Sequence, residues 1–328
     1  MDQLFTHSPI FIIIIVFLIA LFILSKSADY LTDSAIIISK YIGISDMIIG
    51  ATIVSLGTSL PEFATTISAL LSGSNELALG NALGSIITNT SIILGIGILY
   101  GSIPVSKKSA FNVWITFLGI GIIYLISILN HAAIPRFIGY ILLITLPIFL
   151  LFSFKKGNNI DTNFQENEKK ETITMNKLLI LITKVIISAL IVALSSSFLV
   201  ATVQVSASRL GVSEAIISAT IVALGTSLPE LSTVITSAKK GYGGLAFGNL
   251  IGASLMNILL VLSTTISFSK TTLLVPKSFL LFHFPIAIII FLYLLYCIYN
   301  TQKHELTKKE GVFFIIIYLA YLLYNLFF

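Results

Sequence analysis

Residues 50–95 read GATIVSLGTSLPEFATTISALLSGSNELALGNALGSIITNTSIILG, and residues 218–263 read SATIVALGTSLPELSTVITSAKKGYGGLAFGNLIGASLMNILLVLS. The stretches align without a gap at an offset of 168 residues, and 21 of 46 positions are identical. Two unrelated apolar segments would not share so much, so the chain carries an internal repeat. Glycine, proline and one glutamate recur at the same places in both copies, so the duplicated unit includes its polar residues as well as its apolar ones.

Around these copies the chain is overwhelmingly apolar. Of its 328 residues 56% are hydrophobic and only 10% charged, with a mean hydropathy of +1.03. Soluble domains average about 45–50% apolar and roughly 25% charged, so the composition excludes one. Several runs reach the roughly 20 residues that cross the hydrocarbon as a helix, without the short alternation of barrel strands. The reading is an all-α integral membrane protein with ten transmembrane helices, near 9–40, 45–71, 76–101, 110–129, 136–155, 176–209, 214–238, 244–268, 278–300 and 311–328.

The polar stretch 156–175 carries Asp161, Glu166, Glu168, Lys169, Lys170 and Glu171. It reads as a solvated linker between a first five-helix repeat, 1–155, and a second, 176–328. Five is odd, so the second repeat is expected to enter the membrane inverted relative to the first. Lysine placement agrees. With both termini outside, the inner side receives Lys40, Lys107, Lys108, Lys155, Lys156, Lys169, Lys170, Lys177, Lys239, Lys240, Lys303, Lys308 and Lys309. The outer side keeps Arg136, Arg209, Lys270 and Lys277. Positive-inside bias therefore makes the linker cytoplasmic and the location a cell (inner) membrane.

The formal charge of +5 is spread over short loops, which argues for topology rather than nucleic-acid binding. Cys297 is the single cysteine, so no disulfide or thiolate cluster is proposed. No Lys or Arg precedes the first apolar run while Lys26 follows it, the wrong polarity for a signal peptide, and the first helix is expected to remain. Inverted repeats point to a secondary transporter with its site near the midplane between the copies.

Of fourteen acidic residues, only Glu62 and Glu230 lie deep in apolar helices, and they hold the same repeat position. A charge at that depth costs on the order of 3 kcal/mol or more unless neutralised. Two neutral acids held by hydrogen bonds are the plain alternative; the duplication favours a cation site. Thr58, Ser59 and Glu62 share a helix face, as do Thr226, Ser227 and Glu230. Pro61 and Pro229, with Gly57 and Gly225, loosen the helices there, so carbonyls such as those of Ser55 and Ala223 are expected to face a cavity. On the next helix Asn81, Ser85 and Asn89 recur every four residues, while the second copy has Asn249, Ala253 and Asn257. The accompanying glycines also suit close helix packing.

Every candidate ligand is a hard oxygen, and no His or Cys is among them. That argues against zinc, copper and iron and for Ca²⁺ or alkali ions. Two carboxylates match the charge of one Ca²⁺ or of two Na⁺, so a shared site that cannot remain charged and empty exchanges one ion type for the other. Weaker features read blandly. Lys26, Asp29 and Asp33 form a self-neutralising cluster near the inner interface. Gln204 bonds across helices, His131 and His283 are assigned no proton relay, and Trp114 is an interfacial aromatic.

The pair GTSLPE at 57–62 and 225–230, followed by GNALGSIITN at 80–89 and GNLIGASLMN at 248–257, resembles the two α-repeats of the sodium/calcium exchangers, of simple prokaryotic type. The resemblance implies a core of helices 2, 3, 7 and 8, across which helices 1 and 6 slide. It implies Ca²⁺ coordination by Glu62 and Glu230 with Thr58 and Thr226. It places Ser59, Ser227, Ser85 and the carbonyls of Ser55 and Ala223 at flanking Na⁺ sites, and Asn89 and Asn257 along the middle. Ala253 stands where the motif has serine, and Asn257 where potassium-dependent relatives have aspartate.

The expected function is therefore Na⁺/Ca²⁺ antiport by alternating access. H⁺/Ca²⁺ antiport through the same two glutamates is the alternative, which Thr58 and Ser59 disfavour and Ala253 favours. A passive channel is disfavoured by the inverted repeats, and no nucleophile and base pair suggests an enzyme. No cofactor, nucleic acid or obligate protein partner is expected; the partners are the transported Ca²⁺ and Na⁺ and the lipid bilayer.

Overall fold

The computed structural model describes residues 5, 8–71, 73–106, 109–157, 175–209, 223–269, 272–301 and 304–327. Most of the expected linker, and residues 214–222 at the start of the expected seventh helix, lie outside them. The described chain is almost entirely helical. It runs α1 (Ile10–Ile42), α2 (Asp46–Thr58) and α3 (Leu60–Leu71), α4 (Asn75–Tyr100), α5 (Ala110–Leu129) and α6 (Arg136–Gly157). The second half continues with α7 (Met175–Arg209), α8 (Ala223–Thr226), α9 (Leu228–Lys239), α10 (Gly243–Phe268), α11 (Phe279–Asn300) and α12 (Lys308–Phe327). Where both ends of a span are described, they fall within three residues of the sequence-based bounds. Among the described residues seven helices are long and apolar enough to cross a membrane, or eight if α2 and α3 count as one bent span.

α4 and α10 are the centre of the molecule. Of the most apolar window of α10 94% is buried, against 6% for α6, so α10 packs against protein while α6 faces lipid. Small residues allow this. A Cβ added to Gly252 of α10 would lie 2.5 Å from the Cα of Ala51 in α2, and one added to Gly50 of α2 would lie 2.5 Å from the Leu245 carbonyl. The two backbones therefore touch, as small residues permit between membrane helices. α4 and α10 each contain a π-helical turn, at Asn89–Ile93 and at Asn257–Leu262. These turns occupy the same repeat position, and such turns re-aim side chains and recur at functional sites.

The turns sort into two ends. Strand β1 (Ile103–Pro104) pairs with β4 (Glu305–Leu306), Ile103 opposite Leu306, and β2 (Ala133–Ile134) pairs with β3 (Leu273–Leu274), Ala133 opposite Leu274. Gly243, the first residue of α10, lies against the Ser102 carbonyl just beyond the end of α4. α10 thus starts where α4 stops, and the two repeat-related helices run in opposite directions.

α1 and α7 form a long antiparallel pair on the flank. Ile13 packs with Ala201 and Val205, Leu24 and Ala28 with Val192, and Leu31, Ala35 and Ile38 with Leu181 and Val185. Arg209, at the end of α7, donates to the carbonyls of Phe5 at 3.0 Å and Ser8 at 2.6 Å. α1 ends at Gly43, whose φ of 72° is the left-handed cap that a glycine adopts without strain.

Candidate functional site

Both copies break at the same place. Ser59 leaves helical geometry at φ −81°, ψ 5°, and α2 and α3 meet there at 40°. Ser227 does the same at φ −89°, ψ 9°. The cause lies two residues on, where Pro61 and Pro229 have no N–H to continue the helical ladder. Each break aims the next turn's glutamate at the same interior point, where Glu62 and Glu230 are 0% exposed and close enough to interact electrostatically.

The two copies clasp each other there. Thr58 Oγ1 donates to Asn249 Oδ1 at 3.2 Å, and Thr226 Oγ1 donates to Asn81 Oδ1 at 3.4 Å. These are repeat-equivalent bonds, each made by one half to the other. The asparagines are held from behind. Asn81 Nδ2 donates to the Glu62 carbonyl at 2.9 Å and to Thr66 Oγ1 at 3.1 Å. Asn249 Nδ2 donates to Thr233 Oγ1 at 2.7 Å.

The carboxylates themselves are treated unequally. Glu62 Oε1 accepts from Ser85 Oγ at 3.3 Å and from Ser227 Oγ at 3.2 Å. Glu230 has Thr58 and Ser59 alongside it, yet neither of its oxygens receives a hydrogen bond of normal geometry. Ala253, buried at the repeat position of Ser85, has no hydroxyl to offer. Ser59 Oγ, Glu62 Oε2 and both side-chain polar atoms of Asn89 and of Asn257 are likewise buried without a protein partner. A buried polar atom without a partner costs about 1–3 kcal/mol, and a cluster of them calls for an explanation. Apart from the two amide nitrogens, the cluster is hard oxygen, the donor chemistry of Ca²⁺ and Na⁺. Among the described residues no group of three or more His, Cys, Asp or Glu gathers to hold a metal, which leaves two carboxylates as the charge of this site.

The sequence-based ligand set is thus largely brought together: Thr58, Ser59, Glu62, Ser85, Asn89, Thr226, Ser227, Glu230 and Asn257 are all buried on the facing elements α2–α4 and α8–α10. Two expectations are revised. The free carbonyl expected at Ser55 is not free: its oxygen accepts from the Ser59 N–H at 3.0 Å and from Thr58 Oγ1 at 3.4 Å. A helical N–H bonds four residues back, so the carbonyls released by Pro61 and Pro229 are those of Gly57 and Gly225. The Gly225 carbonyl accepts from Ser196 Oγ of α7 at 2.8 Å, a contact that no motif announced. Ala223 begins α8, and its side chain lies outside the described residues. The second revision concerns α1, where Asp33 and Asp29 pair across helices with Lys240, at 2.7 and 3.7 Å, instead of being neutralised within α1. Outside the site, His283 stacks on Phe279 at 4.4 Å, and Trp114 Nε1 donates to the Tyr299 hydroxyl at 3.1 Å. Gln204 lies in α7 with its side chain outside the described residues.

A helical membrane protein with repeat-related breaks around two buried carboxylates is the architecture of a secondary transporter. The family model of the sodium/calcium exchanger protein matches residues 12–155 and 180–327, and the chain belongs to that family. It is a multi-pass membrane antiporter of prokaryotic type rather than an enzyme. It is 28% identical to the sodium/calcium exchanger MaX1 of Methanosarcina acetivorans, over 94% of this chain and 97% of that protein. It is 34% identical to the putative antiporter CaxA of Alkalimonas amylolytica, over 75% of this chain and 77% of that protein. Among solved structures it is similar to the sodium-calcium exchanger NCX_Mj soaked with 10 mM Na⁺ and zero Ca²⁺, with a TM-score of 0.81, 26% identity, and coverage of 95% and 98% of the two chains.

Proposed function

We propose that the protein exchanges Na⁺ for Ca²⁺ at one shared site by alternating access, with the Na⁺ gradient driving Ca²⁺ out of the cell. The observation that carries this reading is the pair Glu62 and Glu230, fully buried and repeat-equivalent, with three of their four carboxylate oxygens lacking a protein partner. Neither the ligand-free site nor a doubly loaded one is electrically acceptable at this depth, so one cation species leaves only as the other arrives. Ca²⁺ sits between the two carboxylates with Thr58 and Thr226. Na⁺ is held by the same carboxylates with Ser59, Ser85, Ser227 and the Ala223 carbonyl, and with the Ser55 carbonyl once Thr58 Oγ1, now 3.4 Å from it, turns away, while Asn89 and Asn257 line the middle.

The plan we propose is two inverted five-helix repeats, residues 1–155 and 176–328, joined by the linker 156–175. The antiparallel run of α4 and α10 supports it. The α1–α7 pair is the element that slides; it packs along the flank of the core and meets the second break through Ser196, which donates to the Gly225 carbonyl at 2.8 Å. Lysine bias supports a cytoplasmic linker, outer termini and a bilayer of the inner-membrane type. The function is carried out without a cofactor.

Radioactive Ca²⁺ uptake into proteoliposomes with an outward Na⁺ gradient at fixed pH tests the proposal. Uptake under the Na⁺ gradient is expected. Uptake driven only by an outward H⁺ gradient without Na⁺ would assign the protein to proton-coupled exchange, with Glu62 and Glu230 as its proton carriers.

A further inference from the structure

Three consecutive serines lie in α7, and only the middle one reaches beyond its own helix. Ser195 Oγ donates back to the Ile191 carbonyl at 2.7 Å and Ser197 Oγ to the Ala193 carbonyl at 2.9 Å, the ordinary arrangement of a hydroxyl inside a helix. Ser196, fully buried between them, donates instead to the Gly225 carbonyl at 2.8 Å. That carbonyl belongs to the second break, where its helical donor would be the N–H of residue 229, a proline. A buried carbonyl so deprived needs a partner, and α7 supplies it.

The same face of α7 reaches the first break as well. Ala189 lies two turns before Ser196, and a Cβ on Gly57 would lie 2.7 Å from the Ala189 Cβ. One helix thus touches both breaks, the first through a methyl group and the second through a hydrogen bond. The repeat does not reproduce that bond. At the offset of 168 residues Ser196 corresponds to Ala28 of α1, which has no hydroxyl and packs with Val192 and Leu199 of α7. What the bond holds is the approach to the site. Gly225 is followed by Thr226, which donates to Asn81 at 3.4 Å, and by Ser227, which donates to Glu62 Oε1 at 3.2 Å. Fixing the Gly225 carbonyl fixes the peptide plane that leads into Thr226, and with it the direction of both hydroxyls. Resting on the exchange proposed above, we infer that Ser196 is a positioning residue for transport: through the Gly225 carbonyl it holds Thr226 and Ser227 toward the ions, so that the second break takes its geometry from where α7 stands.

The test is the initial rate of Na⁺-driven Ca²⁺ uptake into proteoliposomes over a range of Ca²⁺ concentrations. For Ser196→Ala the Ca²⁺ concentration for half-maximal uptake is expected to rise about tenfold, the worth of one buried hydrogen bond, while the maximal rate stays near the parent's. Ser196→Thr, which keeps a hydroxyl, is expected to restore the parent's value, and Ser195→Ala and Ser197→Ala to leave it unchanged. A half-maximal concentration unmoved by Ser196→Ala, or moved equally by all three alanine variants, overturns the inference. So does a Ser196→Thr variant no better than Ser196→Ala, or a fall in maximal rate and melting temperature alone, which is what a packing role gives. Should Ser196→Ala fail to accumulate in the membrane, Ser196→Cys, whose thiol is a weaker donor, is expected to raise the same concentration by a smaller factor, and no rise there overturns the inference too. Failure of the exchange reading looks different, because the parent protein then shows no Na⁺-driven uptake at all.

Discussion

Thr58 Oγ1 donates to Asn249 Oδ1 at 3.2 Å, across 191 residues of sequence, and the repeat-equivalent bond joins Thr226 to Asn81 at 3.4 Å. Each half of the molecule thereby finishes the polar wiring of the other. Removing Asn249 leaves Thr58 Oγ1 only the Ser55 carbonyl at 3.4 Å and takes one partner from Thr233 Oγ1, which keeps its bonds to the Pro229 and Glu230 carbonyls, in a buried place where an unmet polar group costs about 1–3 kcal/mol. Asn249→Ala and Asn81→Ala are therefore expected to lower thermal stability in detergent by similar amounts, read as a fall in melting temperature. A drop in one variant and none in the other would break the equivalence.

Glu62→Gln and Glu230→Gln preserve shape and remove charge. Both are expected to abolish Ca²⁺ uptake while the protein still elutes as a single folded species. Full transport in either variant would mean that the two carboxylates do not share one ion.

Ser85→Ala makes the Glu62 end resemble the Glu230 end by removing one of two donors to Oε1. A charge-assisted bond is worth about 1.5–3 kcal/mol, so the Na⁺ concentration for half-maximal exchange is expected to rise about tenfold or more. Ser254→Ala is the control, since that hydroxyl bonds its own helix, and its Na⁺ dependence is expected to match the parent's.

A cavity of about 450 Å³ lies between α1 and α9, lined by Leu24, Asp29, Ser232 and Thr236 and bordered by Lys239 and Lys240. Lys240 bridges it by pairing with Asp33 and Asp29. As a partly exposed pair it contributes about 0–1 kcal/mol to stability, so Lys240→Met is expected to leave the melting temperature nearly unchanged. A cysteine introduced by Ser232→Cys is expected to react faster with a membrane-impermeant thiol reagent once Lys240 is replaced. An unchanged labelling rate would show that the pair does not restrain α1.

Gly252→Ala places a methyl 2.5 Å from the Cα of Ala51. Overpacking of that kind costs about 1–3 kcal/mol, and because the clash is with backbone the effect is expected at the upper end. Denaturation in detergent measures it.

The repeat, the helix bounds and the glutamate pair were legible because each is a one-dimensional pattern: identity at a fixed offset, length of apolar run, and charge where charge is costly. Spacing also placed Asn81, Ser85 and Asn89 on one face. Periodicity, however, tells which side of a helix a residue occupies and not what faces it. The Thr58–Asn249 bond, the Ser196 contact with the Gly225 carbonyl, and the choice of Lys240 over Lys26 as the partner of Asp33 all depend on how separate helices meet. The Ser55 carbonyl is a different lesson. Proline was rightly expected to loosen the helix, but the carbonyl it frees is fixed by hydrogen-bond register rather than by proximity to the motif.

The clasp between the halves has an evolutionary reading. A surface on which each threonine is completed by the other copy's asparagine is self-complementary, so two separate chains of half this length could make the same contact across a two-fold axis. The two halves nonetheless differ in charge, because the second carries Lys239 and Lys240 where the matching turn of the first copy has no lysine. At the site itself they differ again at position 253, an alanine where the first copy has Ser85.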